Sequence, residues 1–218
     1  MLPNRSALFN ERYMSVPIST ALYSIYGQQV RSEYLHPILS PTHTGPGRRP
    51  EVDFAVIADY PNVFAALESK WVGKNGLSAE EVLWDLLRLE LIAHHTGAPA
   101  FFLLAGRRKH VEAFFKSAAF LGSRTRKGTY RRLLKLDSRR NPRIRVDNPG
   151  PARMKIFKKI FKPYLDLSFS TRITTSAAHC YPKDSPMFQY QAYAWQVLAP
   201  RRAARFRPRD HYFYGSPT

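Results

Sequence analysis

The sequence predicts an α/β fold: a central mixed β-sheet flanked by helices, followed by a basic C-terminal α+β extension. Three observations carry this expectation. Two segments of strand character, EVDFAVIA at 51–58 and VFAALESKWV at 63–72, stand close together. A well-punctuated helical stretch follows them, and the short apolar run AFFLLA follows that. Strands that alternate with a helix of this length suit a sheet with crossover connections. The chain has 218 residues, 44% of them hydrophobic, enough to bury one sizeable core. The expected division is a core over 1–105 and a basic extension over 106–218 that packs on it.

Residues 16–39 read as a helix that Gly27 weakens or splits. Ile18, Leu22, Ile25, Tyr26, Val30 and Tyr34 recur at helical spacing, and Pro37 limits the far end. SPTHTGPGRRP is a loop by its Pro, Gly and Thr content. Asp59-Tyr60-Pro61-Asn62 is a turn, so 51–58 and 63–72 should pair as an antiparallel hairpin. Ser78 and Glu81 fit a capping box, Val82, Leu86, Leu89 and Ala93 line one helical face, and Gly97 stands where a C-terminal cap belongs. After Pro99, AFFLLA suits a buried strand. His110–Leu121 reads as a short helix and Met154–Tyr164 as a basic amphipathic one. STRITTSA and QYQAYAWQVL have strand character, and the tail RRAARFRPRDHYFYGSPT is expected to be mobile or wrapped on the surface.

Charge points to the partner. A formal net charge of +18 and a pI near 10.3 attract polyanions, nucleic acid first among them. Nineteen of the 34 Lys and Arg residues fall within 107–165, against Glu112, Asp137 and Asp147 alone. They interleave with Phe114, Phe115, Tyr130, Phe157 and Phe161. Arg124, Arg126, Lys127, Arg131, Arg132, Arg139, Arg140, Arg143 and Arg145 are the expected phosphate contacts. The single cysteine, Cys180, excludes an internal disulfide and a Cys-based zinc cluster, and fits the reducing cytoplasm. No segment approaches the ~20 apolar residues of a membrane span, so no membrane partner is expected.

Strand alternation brings acids together. Residues i and i+2 share a face, so Glu51 projects with Asp53, and Glu68 with Lys70. If the strands pair, Asp53 and Glu68 meet on one side. Two carboxylates beside an ammonium group suit a hard cation such as Mg²⁺ or Mn²⁺, which can polarise a phosphoryl oxygen and acidify a bound water. His94-His95, at a helix end, reads as a cap and a packing group. His179 and Cys180 lack partners at metal spacing.

Asp53, fourteen residues, then Glu68-Ser69-Lys70 resembles the signature of the PD-(D/E)xK, or restriction-endonuclease-like, nuclease superfamily. The wording EVDFAVI…ALESKWVG is similar to archaeal Holliday-junction resolvases and very-short-patch-repair-like enzymes. The resemblance covers residues 20–105. It implies a helix–strand–strand–strand–helix–strand core, of which the reading above finds one strand fewer. It implies an endodeoxyribonuclease with DNA ahead of RNA as substrate, metal ligation by Asp53, Glu68 and the Ser69 carbonyl, a water-orienting Lys70, and a helical glutamate matched by Glu33. A homodimer is compatible with cutting two strands. The first motif reads Pro50-Glu51-Val52-Asp53, so Glu51 stands as an alternative to Asp53. The alternative function is a non-catalytic nucleic-acid-binding protein, either an inactive nuclease fold or a component of a larger assembly. Asp85, Arg88 and Glu90 could touch the site from behind, but salt bridging is expected of them instead.

Overall fold

Helix α1 spans Glu11–Tyr26 in this computed structural model, which describes residues 11–39, 50–124, 132–136, 143–184, 186–187, 189–212 and 214. Gly27, at φ +54°, ends the helix, and a 3₁₀ turn over Gly27–Gln29 leads into strand β1, Val30–Tyr34. The helix expected over 16–39 is corrected here. Val30 and Tyr34 lie four residues apart, a spacing that shares a face in a helix and in a strand alike. The left-handed glycine decides between them, since it is where helices commonly stop.

Strand β2, Val52–Ile57, pairs antiparallel with β1 and with β3, Val63–Val72, as the hairpin reading required. Helix α2, Ala79–Thr96, follows. Ser78 accepts from the Glu81 amide while Glu81 accepts from the Ser78 amide, and Gly97 closes the other end at φ +74°. That reciprocal cap satisfies two amide groups that a helix start otherwise leaves unbonded. Strand β4, Ala100–Arg107, then lies parallel to β3. The order to this point is helix, strand, strand, strand, helix, strand.

Helices α3, Arg108–Lys116, and α4, Ala118–Leu121, replace the single helix expected over 110–121, because Ser117 turns the chain and caps α4. Then come β5 (Arg143–Arg145), α5 (Pro151–Phe161), β6 (Phe169–Ser170), β7 (Arg172–Thr175), β8 (His179–Tyr181), β9 (Tyr190–Leu198) and β10 (Arg205–Phe206). The main sheet runs β1-β2-β3-β4-β9-β7-β5, with β8 also on β9. It is mixed: β3 and β4 run parallel and the other neighbours antiparallel. The division expected between 105 and 106 falls inside β4, and β9 from the C-terminal part pairs along that whole strand.

Helix α1 lies over one face of the sheet, where Ser19, Thr20, Tyr23 and Ser24 approach Val30, Ser32 and Phe54. Helix α2 lies over the other, where its charged residues meet Glu68 and Lys70. The core gathers Phe102, Leu104 and Trp195 from the sheet with Leu83, Leu86 and Leu89 from α2, all fully buried. Each such side chain contributes roughly 1.5–3 kcal/mol relative to exposure. The described part of the basic tail is wrapped on the protein: β10 pairs with β6, Arg205 Nη1 lies 2.6 Å from Glu90 Oε1, and buried Tyr214 donates to the Val146 carbonyl at 2.5 Å.

Candidate active site

Register places the acids. The β2–β3 ladder ends at Phe54 opposite Leu67, so one step further Asp53 stands across from Glu68. On the other edge of β2, the pairs Ser32–Phe54 and Tyr34–Val52 bracket Glu33 and Asp53. Asp53 and Glu68 thus share one row of β2 and β3, Lys70 follows Glu68 on the same face, and Glu33 falls at the neighbouring register position of β1. Glu33 sits on a strand, not on the helix expected for it. It is exposed, and its φ of +50° takes it out of the regular ladder. With Asp53, Glu51, Trp84 and Arg88 it lines a cleft of about 330 Å³.

Asp53 extends the hairpin with its side chain. Where the backbone ladder stops, its Oδ2 accepts from the Ser69 amide and from Ser69 Oγ, each at 2.7 Å. Glu68 is 1% exposed. Arg88 Nη2 lies 2.9 Å from Glu68 Oε1, yet among the described residues neither Glu68 oxygen accepts a hydrogen bond. The contact is therefore an ion pair without a directed bond. The same Arg88 nitrogen bonds Asp85 Oδ1, and Nη1 donates to the Glu51 carbonyl at 2.7 Å. Lys70 Nζ stands 3.4 Å from Asp85 Oδ2.

These residues form a chain of alternating charge, Glu68–Arg88–Asp85–Lys70. Lys70 and Asp85 open into a second cleft, about 450 Å³, with Ser78, Glu80 and Glu81. The two clefts share Trp84 and Arg88. Arg88 accordingly stands between the Asp53 side and the Lys70 side.

Burial and then the neighbouring Asp85 push Glu68 well above the usual carboxylate range; Arg88 opposes the rise and Asp53 adds to it. Burial likewise raises Asp85 against the pull of Arg88 and Lys70. Burial works against the Arg88 charge, but Glu68 and Asp85 outweigh it and hold the guanidinium protonated.

Comparison with protein-family models, with curated proteins and with solved structures found no match.

The site's own chemistry bears on a metal. Among the described residues no three His, Cys, Asp or Glu side chains are grouped to hold an ion. The expected ligand set needs only two carboxylates, Asp53 and Glu68, with the Ser69 carbonyl. A divalent cation fits that set on one observation: a buried carboxylate with no hydrogen bond to either oxygen is a costly arrangement that a cation relieves. Glu51 shares the cleft with Asp53, but Asp53 alone stands across from Glu68.

Of the expected phosphate contacts, Arg124 and Arg132 are exposed and half-buried, and Arg143 lies on β5. Arg145 binds Asp147 through two nitrogens, Nε to Oδ1 at 3.0 Å and Nη2 to Oδ2 at 2.8 Å. Strand β5 is four strand spacings from β3, about 19 Å. Arg126, Lys127, Arg131, Arg139 and Arg140 lie outside the described residues. His94 and His95 occupy the last turn of α2, where Gly97 forms the cap and His95 packs edge-on against His36, ring centroids 5.8 Å apart. No helix among the described residues is long and apolar enough to cross a membrane.

The sequence pointed to salt bridging by Asp85, Arg88 and Glu90 in place of contact with the site. Glu90 indeed pairs with Arg205, away from Glu68, but Asp85 and Arg88 are inside the site. The available signal was an acid and a base three residues apart on a helix whose neighbours Val82, Leu83, Leu86, Leu87 and Leu89 are all apolar. Charges in such surroundings face inward only when partners await them.

Proposed function

We propose that this protein is a metal-dependent endodeoxyribonuclease of the restriction-endonuclease-like kind, hydrolysing phosphodiester bonds in DNA. The observation that carries the reading is Asp53 across from Glu68 on β2 and β3, with Lys70 two residues beyond Glu68 and Glu33 at the neighbouring position of β1. The strand supplied by β1 adds support, since it completes the element order that the sequence resemblance implies.

Asp53, Glu68 and the Ser69 carbonyl would hold Mg²⁺ or Mn²⁺, which when bound polarises a phosphoryl oxygen and acidifies a water. The protein's own groups do the rest. Ser69 fixes the Asp53 carboxylate through its amide and hydroxyl. Asp85 steadies the Lys70 ammonium, which orients the attacking water and offsets charge as the phosphorus gains its fifth oxygen. Water adds to phosphorus, the bond to one sugar oxygen breaks, and that oxygen leaves with a proton. Arg88 holds Glu68 while no ion does, and its charge makes it a competitor for that carboxylate.

The test is cleavage of duplex DNA in Mg²⁺ or Mn²⁺. Asp53→Ala, Glu68→Ala and Lys70→Ala should each lower the rate by about 100-fold or more, while Lys70→Ala binds DNA almost as the wild type does. Three variants that cut at the wild-type rate would remove the hydrolytic reading. Parallel assays on branched DNA and RNA identify the substrate class.

A second reading, a non-catalytic nucleic-acid-binding protein, is favoured by one observation. Glu68 and Asp85 already have cationic partners in Arg88 and Lys70. On that reading Mn²⁺ titration finds no site that disappears in Asp53→Ala and Glu68→Ala.

A further inference from the structure

Helix α5 was legible as basic and amphipathic, but its place in the fold gives it a partner. Its apolar side, Phe157, Ile160 and Phe161, is buried. Lys155, Lys158 and Lys159, with Lys162 at the C-cap, are all exposed. At 3.6 residues per turn these four lysines fall within an arc of about 100° on the opposite side. No acidic residue occurs between Gly150 and Leu165.

The helix is anchored beside the candidate site. Lys159 Nζ lies 2.5 Å from Glu80 Oε1, and Glu80 lines the cleft that holds Lys70. Just past the helix, Tyr164 packs on Trp84, with ring centroids 5.7 Å apart, and Trp84 borders both clefts. Among the described residues Lys155, Lys158 and Lys162 make no ion pair. Arg145, on β5 four strand spacings from β3, is by contrast engaged by Asp147 just after that strand.

We infer that the exposed lysine face of α5 is the surface along which the phosphate backbone of a nucleic acid lies as it enters the Lys70 cleft. Lysines one turn apart are separated by about 6 Å along the helix, a spacing on the scale of consecutive phosphates. Lys159 serves as the tether to the cleft rim, and Lys155, Lys158 and Lys162 meet the phosphates. The inference rests on the proposed nuclease reading for its partner, but its test concerns binding and needs no cleavage.

The experiment measures affinity for a duplex of about 30 base pairs between 50 and 300 mM salt, without divalent metal, for wild type and the triple variant Lys155→Gln/Lys158→Gln/Lys162→Gln. Loss of three phosphate contacts should lower the slope of log K against log salt by about 2 to 3. Because all three residues are exposed, the melting temperature should stay at the wild-type value. In a cleavage assay KM should rise and kcat hold. A triple variant with the wild-type slope overturns the inference even if Lys70→Ala abolishes cutting, so the two ideas fail separately. A variant that loses affinity for phosphatidylserine vesicles while keeping its duplex slope also overturns it, making α5 a membrane-facing helix. A wild type that binds no duplex at any salt sinks this inference together with the choice of DNA as substrate.

Discussion

At the scale of single residues, Arg88 decides how the buried charges coexist. It is 13% exposed and touches Glu68 and Asp85, which are almost wholly inaccessible. Removing one partner of a buried ion pair strands the others, at a cost of about 3–5 kcal/mol. Arg88→Met should therefore lower stability by that order in urea unfolding, and adding Glu68→Gln should recover part of the loss. Equal stabilities for Arg88→Met and wild type would remove this account. Glu68 also sets a pH dependence. Its folded pKa lies above its unfolded value, so its favourable contribution is full below about pH 4 and fades as pH climbs through the folded pKa. Asp85 acts in the same direction. Urea midpoints from pH 4 to 8 should decline less in Glu68→Gln than in wild type, and parallel declines would contradict the assignment. If Glu68 holds a metal as proposed, the same proton must leave on binding, so Mn²⁺ affinity should increase with pH; an affinity that does not would count against Glu68 as a ligand.

At the scale of elements, the site depends on how closely β3 and β4 run. A Cβ built on Gly106 would come within 2.6 Å of the Val72 carbonyl oxygen, near the end of the strand that carries Glu68 and Lys70. Backbone cannot yield as a side chain would, so Gly106→Ala should cost about 1–3 kcal/mol and lower the melting temperature. An unshifted melt would show that the strands can part without penalty. The elements legible in the sequence were those with strong local signals: the β2–β3 hairpin, capped α2, and apolar β4. The shared face of Glu68 and Lys70, and the place of Asp53 across from Glu68, followed from the two-residue strand period and the hairpin pairing. Strand β1 was hidden because five residues cannot separate the two periods. The partners of Glu68 were hidden for another reason. Nothing local to Asp85 or Arg88 says which strand they face, because that is a property of packing between distant segments.

At the scale of the whole molecule, the sheet is one object built from both ends of the chain. Strand β9 pairs with β4 from Arg107–Tyr190 to Ala100–Val197, and Trp195 on β9 is fully buried near Phe102, their ring centroids 6.1 Å apart. A fragment ending at residue 107 would leave β4 as a bare apolar edge, a template for aggregation. Such a fragment should show no cooperative melt and should bind a hydrophobic dye; a sharp transition would mean that residues 1–107 are self-sufficient. During synthesis the same topology imposes an order of events. The strand that shields β4 is made well after it, so a polypeptide cut short before β9 lacks the partner of the strand that lies beside Glu68 and Lys70. Whatever chemistry this protein performs is withheld from incomplete copies of itself.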